Sequence, residues 1–140
     1  MDTQIIVDRL RAQLTGWVQI AGAADLEAAT TGLVRPPAAF VLPLEEQGSA
    51  NRLMNRQVQR VTCRFGVVIV IANLVDPSGA AANRDLVARR LAVRSALLGW
   101  APVVDEGLPV EFSSGRILRF EDQRLWWTDE FIVDTYYRSA

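Results

Sequence analysis

The charged side chains are the residues of this 140-residue chain that could do chemistry, and every basic one among them is an arginine. The chain has 15 arginines and neither lysine nor histidine. These absences exclude imidazole metal ligands, Ser-His-Asp catalysis, Schiff bases and the lysine of a phosphate-binding loop. Arginine stays charged and pairs with carboxylates or phosphates through two parallel hydrogen bonds, which suits interfaces better than proton transfer.

The carboxylates form no convincing catalytic pair. Some lie in a predicted strand, where neighbouring side chains alternate between faces, and others lie in polar segments, where a solvated surface is expected. These residues are Asp129, Glu130, Asp134, Glu45, Glu46, Asp105 and Glu106. Ser113-Ser114-Gly115 is typical of a turn rather than of a nucleophile, and the sequence has no metal-ligand spacing. We therefore expect no enzymatic activity, no cofactor and no metal.

A polar stretch at residues 44–56 separates two predicted strands. Loops of this length are uncommon in compact domains and are usually functional or disordered. Its acidic residues come first and its arginines later, and the arginine series continues along the next strand. The arginines are Arg52, Arg56, Arg60 and Arg64. Either this arm, at about residues 44–60, is a solvated β-hairpin, or it is a flexible arm that docks on another chain; its polarity favours docking.

The strongest strand pattern lies at residues 57–74. Val61, Cys63 and Phe65 alternate with polar residues, and a continuous β-branched run at 67–71 predicts burial on both faces. A strand this long is expected to bend, and Gly66, where the two halves join, is the expected bulge.

A helix is predicted over residues 80–98, after a turn at 76–79 and before Gly99. Ala88, Ala92 and Ala96 mark the middle of its apolar face, which is flanked on both sides by larger residues. So wide a face could pack on the sheet alone, which we favour, or could also contact a neighbouring subunit. The larger flanking residues are Leu86, Val93, Leu97, Val87, Leu91 and Leu98.

The remaining segments are shorter. A first helix begins after Asp2 or Thr3 and ends at Gly16, a short helix covers residues 25–30, and short strands cover 17–20 and 39–42. Strands at 110–112 and 117–120 flank a predicted hairpin turn at 113–115, and a second turn at 121–123 leads to a final strand over 125–138. One face of that strand is mixed, and its aromatic residues are either covered by a helix or kept for a partner. Its residues of interest are Trp126, Glu130, Asp134 and Tyr136.

These elements predict an α+β fold with a mixed, largely antiparallel sheet, one long and one shorter helix packed on it, and a protruding arm. The order is α-β-α-β-loop-β-α-β-β-β. The length suggests a single domain over residues 1–140. A net charge of −1 argues against a general attraction to nucleic acid. We expect no membrane span or signal peptide, and the single Cys63 to be a small core residue.

The layout from about Pro36 onward resembles that of the bacteriophage tail terminator proteins. Five stretches carry the resemblance through their order and spacing, and none is diagnostic alone. They are PAAFVLP at 37–43, RFGVVIV at 64–70, RSALLGWAP at 94–102, the hairpin at Gly115-Arg116, and LWWTDEF at 125–131.

This resemblance implies a non-enzymatic virion protein, made in the host cytoplasm, that forms a ring of six copies, as members of the family typically do. Its implied partners are itself, the tail tube protein and the head–neck connector or stopper protein, with DNA passing through the lumen and no sequence-specific contact. The alternatives are another neck or tail completion protein, or a non-viral monomeric or dimeric ligand-binding α+β domain. The candidate interface residues are Arg52, Arg56, Arg60, Arg64, Trp126, Glu130, Asp134 and Tyr136.

Overall fold

A computed structural model of the chain describes residues 1–72 and 79–139. The end of the predicted long strand and most of the turn predicted at 76–79 fall on residues 73–78 and lie outside the described residues. The helices are α1 (Gln4–Gln13), α2 (Ala23–Ala28), which a π-helical turn (Ala29–Leu33) follows, and α3 (Ala80–Leu97). The strands are β1 (Gln19–Gly22), β2 (Ala38–Gly48), β3 (Val58–Ala72), β4 (Glu111–Glu121) and β5 (Arg124–Arg138).

The described strands form one five-stranded sheet in the order β1-β2-β3-β5-β4. β1 pairs with β2 in parallel, and the other three pairings are antiparallel. The predicted α+β class and mixed, mainly antiparallel sheet are therefore confirmed. β3 lies at the centre, as its apolar run predicted.

The main core lies between one face of this sheet and the helices α1 and α3. Alternate residues of β3, among them Phe65 and Ile69, are fully buried there with Leu10 of α1 and Val93 of α3. Phe65 also stacks on Phe131 of β5, with ring centroids 5.5 Å apart. Each large apolar side chain buried in this way contributes roughly 1.5–3 kcal/mol.

A smaller core covers part of the opposite face. Phe40, Val68 and Val70 are buried there against Leu26 of α2 and Ala29 of the π-helical turn. Trp126 of β5 belongs to this cluster and is only 4% exposed. Of the two alternatives for this tryptophan, the structure shows the covered one.

The bulge expected at Gly66 is wrong, because the register shift lies in β2, between Pro43 and Glu45, opposite Phe65 and Arg64. Gly66 instead makes room for the extra residue: a Cβ there would lie 3.4 Å from Leu44 Cδ1. β2 also continues to Gly48 rather than ending near Pro43, since Glu45 and Glu46 pair with residues of β3. The loop itself is therefore confined to residues 49–57.

The hairpin predicted at residues 113–115 is also wrong. β4 runs unbroken through these residues and pairs with β5 along its length, with two register shifts. The chain reverses only at the second predicted turn, where Asp122 and Gln123 have φ angles of 53° and 59°. Two successive left-handed residues are characteristic of the tight turn that joins antiparallel strands.

Helix α3 ends before Gly99 as predicted, but its buried face is narrower than the sequence suggested. Val93, Ala96 and Leu97 are buried, whereas Ala88 is exposed. One of the two flanks is open: Val87 is 53% and Leu91 55% exposed. The helix therefore packs on the sheet with one side and presents an apolar side to solvent.

Candidate assembly surfaces

The arginines predicted to contact a partner lie at the end of the sheet where β2, β3 and β5 run side by side. Arg60 Nε donates a hydrogen bond to Asp134 Oδ2 at 2.7 Å, and Thr62 Oγ1 donates to Asp134 Oδ1 at 2.7 Å. Burial tends to raise the pKa of Asp134, but the hydrogen bonds from Thr62 and Arg60 outweigh it and hold the pKa below its usual value. Arg60 and Asp134 are thus brought together within one chain.

Arg64 connects three strands. Its Nη1 donates to Ser113 Oγ of β4 at 2.7 Å and lies 3.5 Å from Glu130 Oε2 of β5. Its Nε lies 3.9 Å from Glu45 Oε2 of β2. Because Glu130 and Asp134 already have arginines of their own chain beside them, a charge reversal at Arg60 or Arg64 would bring like charges together inside the subunit.

Arg52 and Arg56 lie on the loop at residues 49–57 and are both exposed. Asn51 organises this loop: its Nδ2 donates to the Leu53 carbonyl at 2.9 Å and the Arg56 carbonyl at 3.2 Å. Its Oδ1 accepts a hydrogen bond from Val58 N at 3.0 Å. Between the two arginines Met54 is 99% exposed. The loop therefore has internal structure and presents an apolar tip with a cation on each side.

The two aromatic candidates differ in accessibility. Trp126 is buried, and the Arg119 guanidinium lies over its ring, 4.3 Å from the ring centroid. Tyr136 is half-buried and lines a shallow cavity of about 450 Å³ that Leu53 and Arg60 also line. Of the two, Tyr136 can therefore reach a partner directly.

Glu106, which was expected to lie on the solvated surface, is a structural residue. Its side chain is only 8% exposed. One oxygen accepts from Thr135 Oγ1 at 2.9 Å, and the other accepts from Tyr136 N at 3.3 Å and lies 3.1 Å from Arg138 Nη1. Glu106 thus covers the edge of β5 beyond the end of β4. The 29-residue separation from Thr135 leaves no local signal for this contact.

Glu46 was also assigned to solvated surface, and it instead joins β2 to β5. It accepts a hydrogen bond from Tyr137 Oη at 2.5 Å and another from the amino group of Met1. The hydrogen bond from this amino group is the main reason that the pKa of Glu46 lies below its usual value, and the bond from Tyr137 adds to it. In turn, the hydrogen bond to Glu46 raises the pKa of Tyr137 to about 12.

Asp129 is fully buried, and it is neutralised rather than reactive. It accepts hydrogen bonds from Arg90 Nη2 at 2.8 Å and Arg90 Nε at 3.1 Å, and from Trp127 Nε1 at 2.9 Å. A Cβ at Gly115 would lie 2.5 Å from this carboxylate, so the glycine is required for the close approach of β4. This charged pair fastens α3 to β5.

Within residues 1–72 and 79–139 no group of three or more carboxylate, cysteine or histidine residues could hold a metal ion. No described helix is both long and apolar enough to cross a membrane. The exposed Met54 and Phe112 and the exposed arginines are of the residue types that are enriched at protein–protein interfaces.

The comparisons with known proteins identify which kind of assembly this is. The sequence model of the family described as phage tail terminator protein matches residues 1–139, so the chain belongs to that family. The search of curated proteins finds no match to this chain. Family membership gives the protein a structural role in completing a bacteriophage tail, makes it a component of the virion, and implies contacts with other tail and head components.

Proposed function

We propose that this chain forms a ring, of six copies, that caps the end of the tail tube, stops its polymerisation and joins the tail to the head–neck connector. The observation that carries the proposal is the family match, which spans nearly the whole chain. It favours a virion role over the alternative of a non-viral ligand-binding domain. The partners proposed are further copies of the chain, the tail tube protein and the connector or stopper protein.

The exposed surfaces support assembly. β4 is the last strand of the described sheet on its side, and ten of its 11 residues are exposed. Unpaired sheet edges with exposed apolar residues tend to associate with other chains. Phe112, Ile117 and Phe120 of this strand are between 41% and 54% exposed. A ring subunit needs such surfaces because each copy contacts two neighbours through different patches.

The loop at residues 49–57 is proposed to contact the tube or the connector. Met54 offers an apolar anchor, and Arg52 and Arg56 can pair with carboxylates on a partner. DNA is proposed to pass through the ring without sequence-specific contacts, consistent with the net charge of −1. The arm as a whole is proposed to serve docking, with Arg60, Arg64 and Tyr136 at its base and Glu130 and Asp134 beside them.

The experiment that tests the proposed function is polymerisation of tail tubes with and without the purified chain, with tube length measured by electron microscopy. The complete chain is expected to narrow the length distribution. Arg52→Glu with Arg56→Glu is expected to weaken this effect while the subunit stays folded, because in the described structure neither side chain pairs with a carboxylate. Tubes of unaltered length with the folded parent would overturn the proposal. A fully active double variant would exclude a role of the loop in controlling tube length, without excluding the proposed function.

A further inference from the structure

The two lateral edges of the sheet differ in shape and charge. On one side β1 pairs only with Ala38–Val41 of β2, so the outer edge of residues 42–48 has no strand partner among the described residues. We call this segment the β2 edge. It carries Glu45 and Glu46, and beside Leu44 lies a cavity of about 330 Å³ lined also by Pro43 and Phe65. The β2 edge is therefore acidic and has room for an apolar side chain.

On the other side is the surface that we call the β4 edge, formed by β4 and the open flank of α3. Arg90 of α3 reaches over Gly115 to Asp129, which shows that this flank faces β4. The exposed apolar residues of the β4 edge are Phe112, Ile117, Phe120, Val87 and Leu91. The cation at the centre of the strand is Arg116, whose side chain is 67% exposed. The β4 edge is therefore apolar with a central positive charge.

The faces of the two edges also correspond. Ile117 pairs with Trp127 and so lies on the face of the sheet that carries the main core, as do Phe65 and Cys63 in the wall of the cavity. Arg116 lies on the opposite face with Glu130, and Glu45 lies on that same face beside Arg64. If the sheet continued from one copy into the next, each face would stay on its own side. Ile117 would then lie beside the apolar wall of the cavity, and Arg116 would lie beside Glu45.

We propose that the β4 edge of one copy packs against the β2 edge of a second copy, with Ile117 in the cavity beside Leu44 and Arg116 paired with Glu45. The inference rests on the proposed ring, for which it names the repeating contact. At about 3.4 Å per residue the seven residues of the β2 edge span roughly 24 Å, which β4 exceeds in length. Because the two edges are on opposite sides of one sheet, the contact is heterologous and can be repeated around a ring.

Self-pairing of β4 about a two-fold axis is the competing arrangement. Arg116 is the middle residue of β4, so antiparallel pairing of two β4 strands centred on one another would bring two Arg116 side chains together. Like charges directly opposite each other destabilise a strand pair. The β2 edge instead has carboxylates that can pair with Arg116. This charge complementarity favours the β2 edge of a second copy, rather than another β4 strand, as the partner of the β4 edge.

The test uses two variants that each destroy one edge. The β4 variant is Arg116→Glu with Ile117→Thr, and the β2 variant is Leu44→Thr with Glu45→Gln, so that the two altered edges do not complement each other. All four positions are exposed, and threonine keeps the β-branching that suits a strand in place of isoleucine. Arg35→Glu with Val104→Thr is the matched control, because it makes similar changes on exposed residues elsewhere. Circular dichroism confirms that each variant is folded, and sedimentation velocity measures association.

The parent and the control are expected to associate. Each variant alone should bind itself roughly tenfold or more weakly. The β4 variant sets a carboxylate against Glu45, and the β2 variant lacks the carboxylate and the apolar side chain that contact Arg116 and Ile117. An equal mixture of the two should give a dimer of 15.5 kDa chains, since each pair of different variants retains one intact edge of each kind. This dimer is the signature of a heterologous contact between these two edges.

Several results would overturn this inference. Full assembly by either folded variant would exclude the edge it alters, and a β2 variant that still dimerised would favour self-pairing of β4. A monomeric parent at hundreds of micromolar would also count against the contact. The tube-length experiment tests the proposed function separately. If a variant with both edges altered still controlled tube length, the proposed function would stand, and the chain would assemble through another surface.

Discussion

Replacement of the buried Asp129 by alanine tests how α3 is held against the sheet. Asp129 is 0% exposed and is surrounded by the Arg90 guanidinium and the Trp127 indole. Removing one partner of a buried ion pair costs about 3–5 kcal/mol, because the remaining charge is left without compensation. Arg90 keeps 21% of its side chain exposed and can turn partly toward water, so we expect the lower end, about 3 kcal/mol.

Urea denaturation followed by circular dichroism measures this loss. A change of this size corresponds to a fall of roughly 10 °C in melting temperature for a chain of this length. Arg90→Met alone should also destabilise the protein, because it leaves a buried carboxylate without its cation. The double variant Asp129→Ala with Arg90→Met should recover part of the loss, with a coupling free energy of roughly 1–3 kcal/mol. If Asp129→Ala stayed within about 0.5 kcal/mol of the parent, the pair would not fasten α3 to β5 and our reasoning would be wrong.

Three further predictions concern the same scaffold. Gly115→Ala should cost about 1–3 kcal/mol in urea denaturation, because the new Cβ would lie 2.5 Å from a buried carboxylate oxygen. Gly22→Ala serves as the control and should be nearly neutral, because its Cβ would have no described atom within 4 Å beyond its chain neighbours. Val70→Asp places an unpaired charge at a position that is 0% exposed and should cost about 4 kcal/mol or more; a variant that melted like the parent would show that the second core is not as described. The pKa of Tyr137 is raised from 10.0 to about 12 by the hydrogen bond to Glu46, so the stability from this contact is complete below pH 10.0 and is lost as the pH rises toward 12. Tyr137→Phe should remove that part of the alkaline loss, whereas a phenol that titrates spectroscopically near 10 in the parent would exclude the contact.

The centre of the fold could be predicted from the sequence because its signals are local. The β-branched run of β3 has no helical periodicity, and the spacing of apolar residues in α3 fits a helix ended by glycine, so both elements were found. The break in β2 could not be assigned, because both Gly66 and the Pro43–Glu45 stretch are compatible with a bulge and only the pairing decides between them. Ser113-Ser114-Gly115 has the composition of a turn, but pairing with β5 keeps it extended. Register depends on the partner strand and is not encoded in a short segment alone.

The candidate site shows the same limit. Alternation along β3 and β5 assigned Arg60 and Asp134 each to one face of its own strand, but it could not show whether they contact each other within one chain or contact another chain. The structure shows the contact within the chain. Glu106 and Glu46 were missed because their partners are distant in sequence. Nearly all of β4 is exposed because the strand lies at the edge of the sheet. Predicting this exposure would have required the strand order, which the sequence alone does not show.

The most direct test of the proposed function is electron microscopy of isolated tail tubes incubated with the purified protein, with averaging of the tube ends. We predict a ring of six copies at one end of each tube and no further growth of capped tubes when tube protein is added. Bare tube ends with the folded protein free in solution, or capped tubes that continue to grow, would contradict the proposal that this chain terminates the tail.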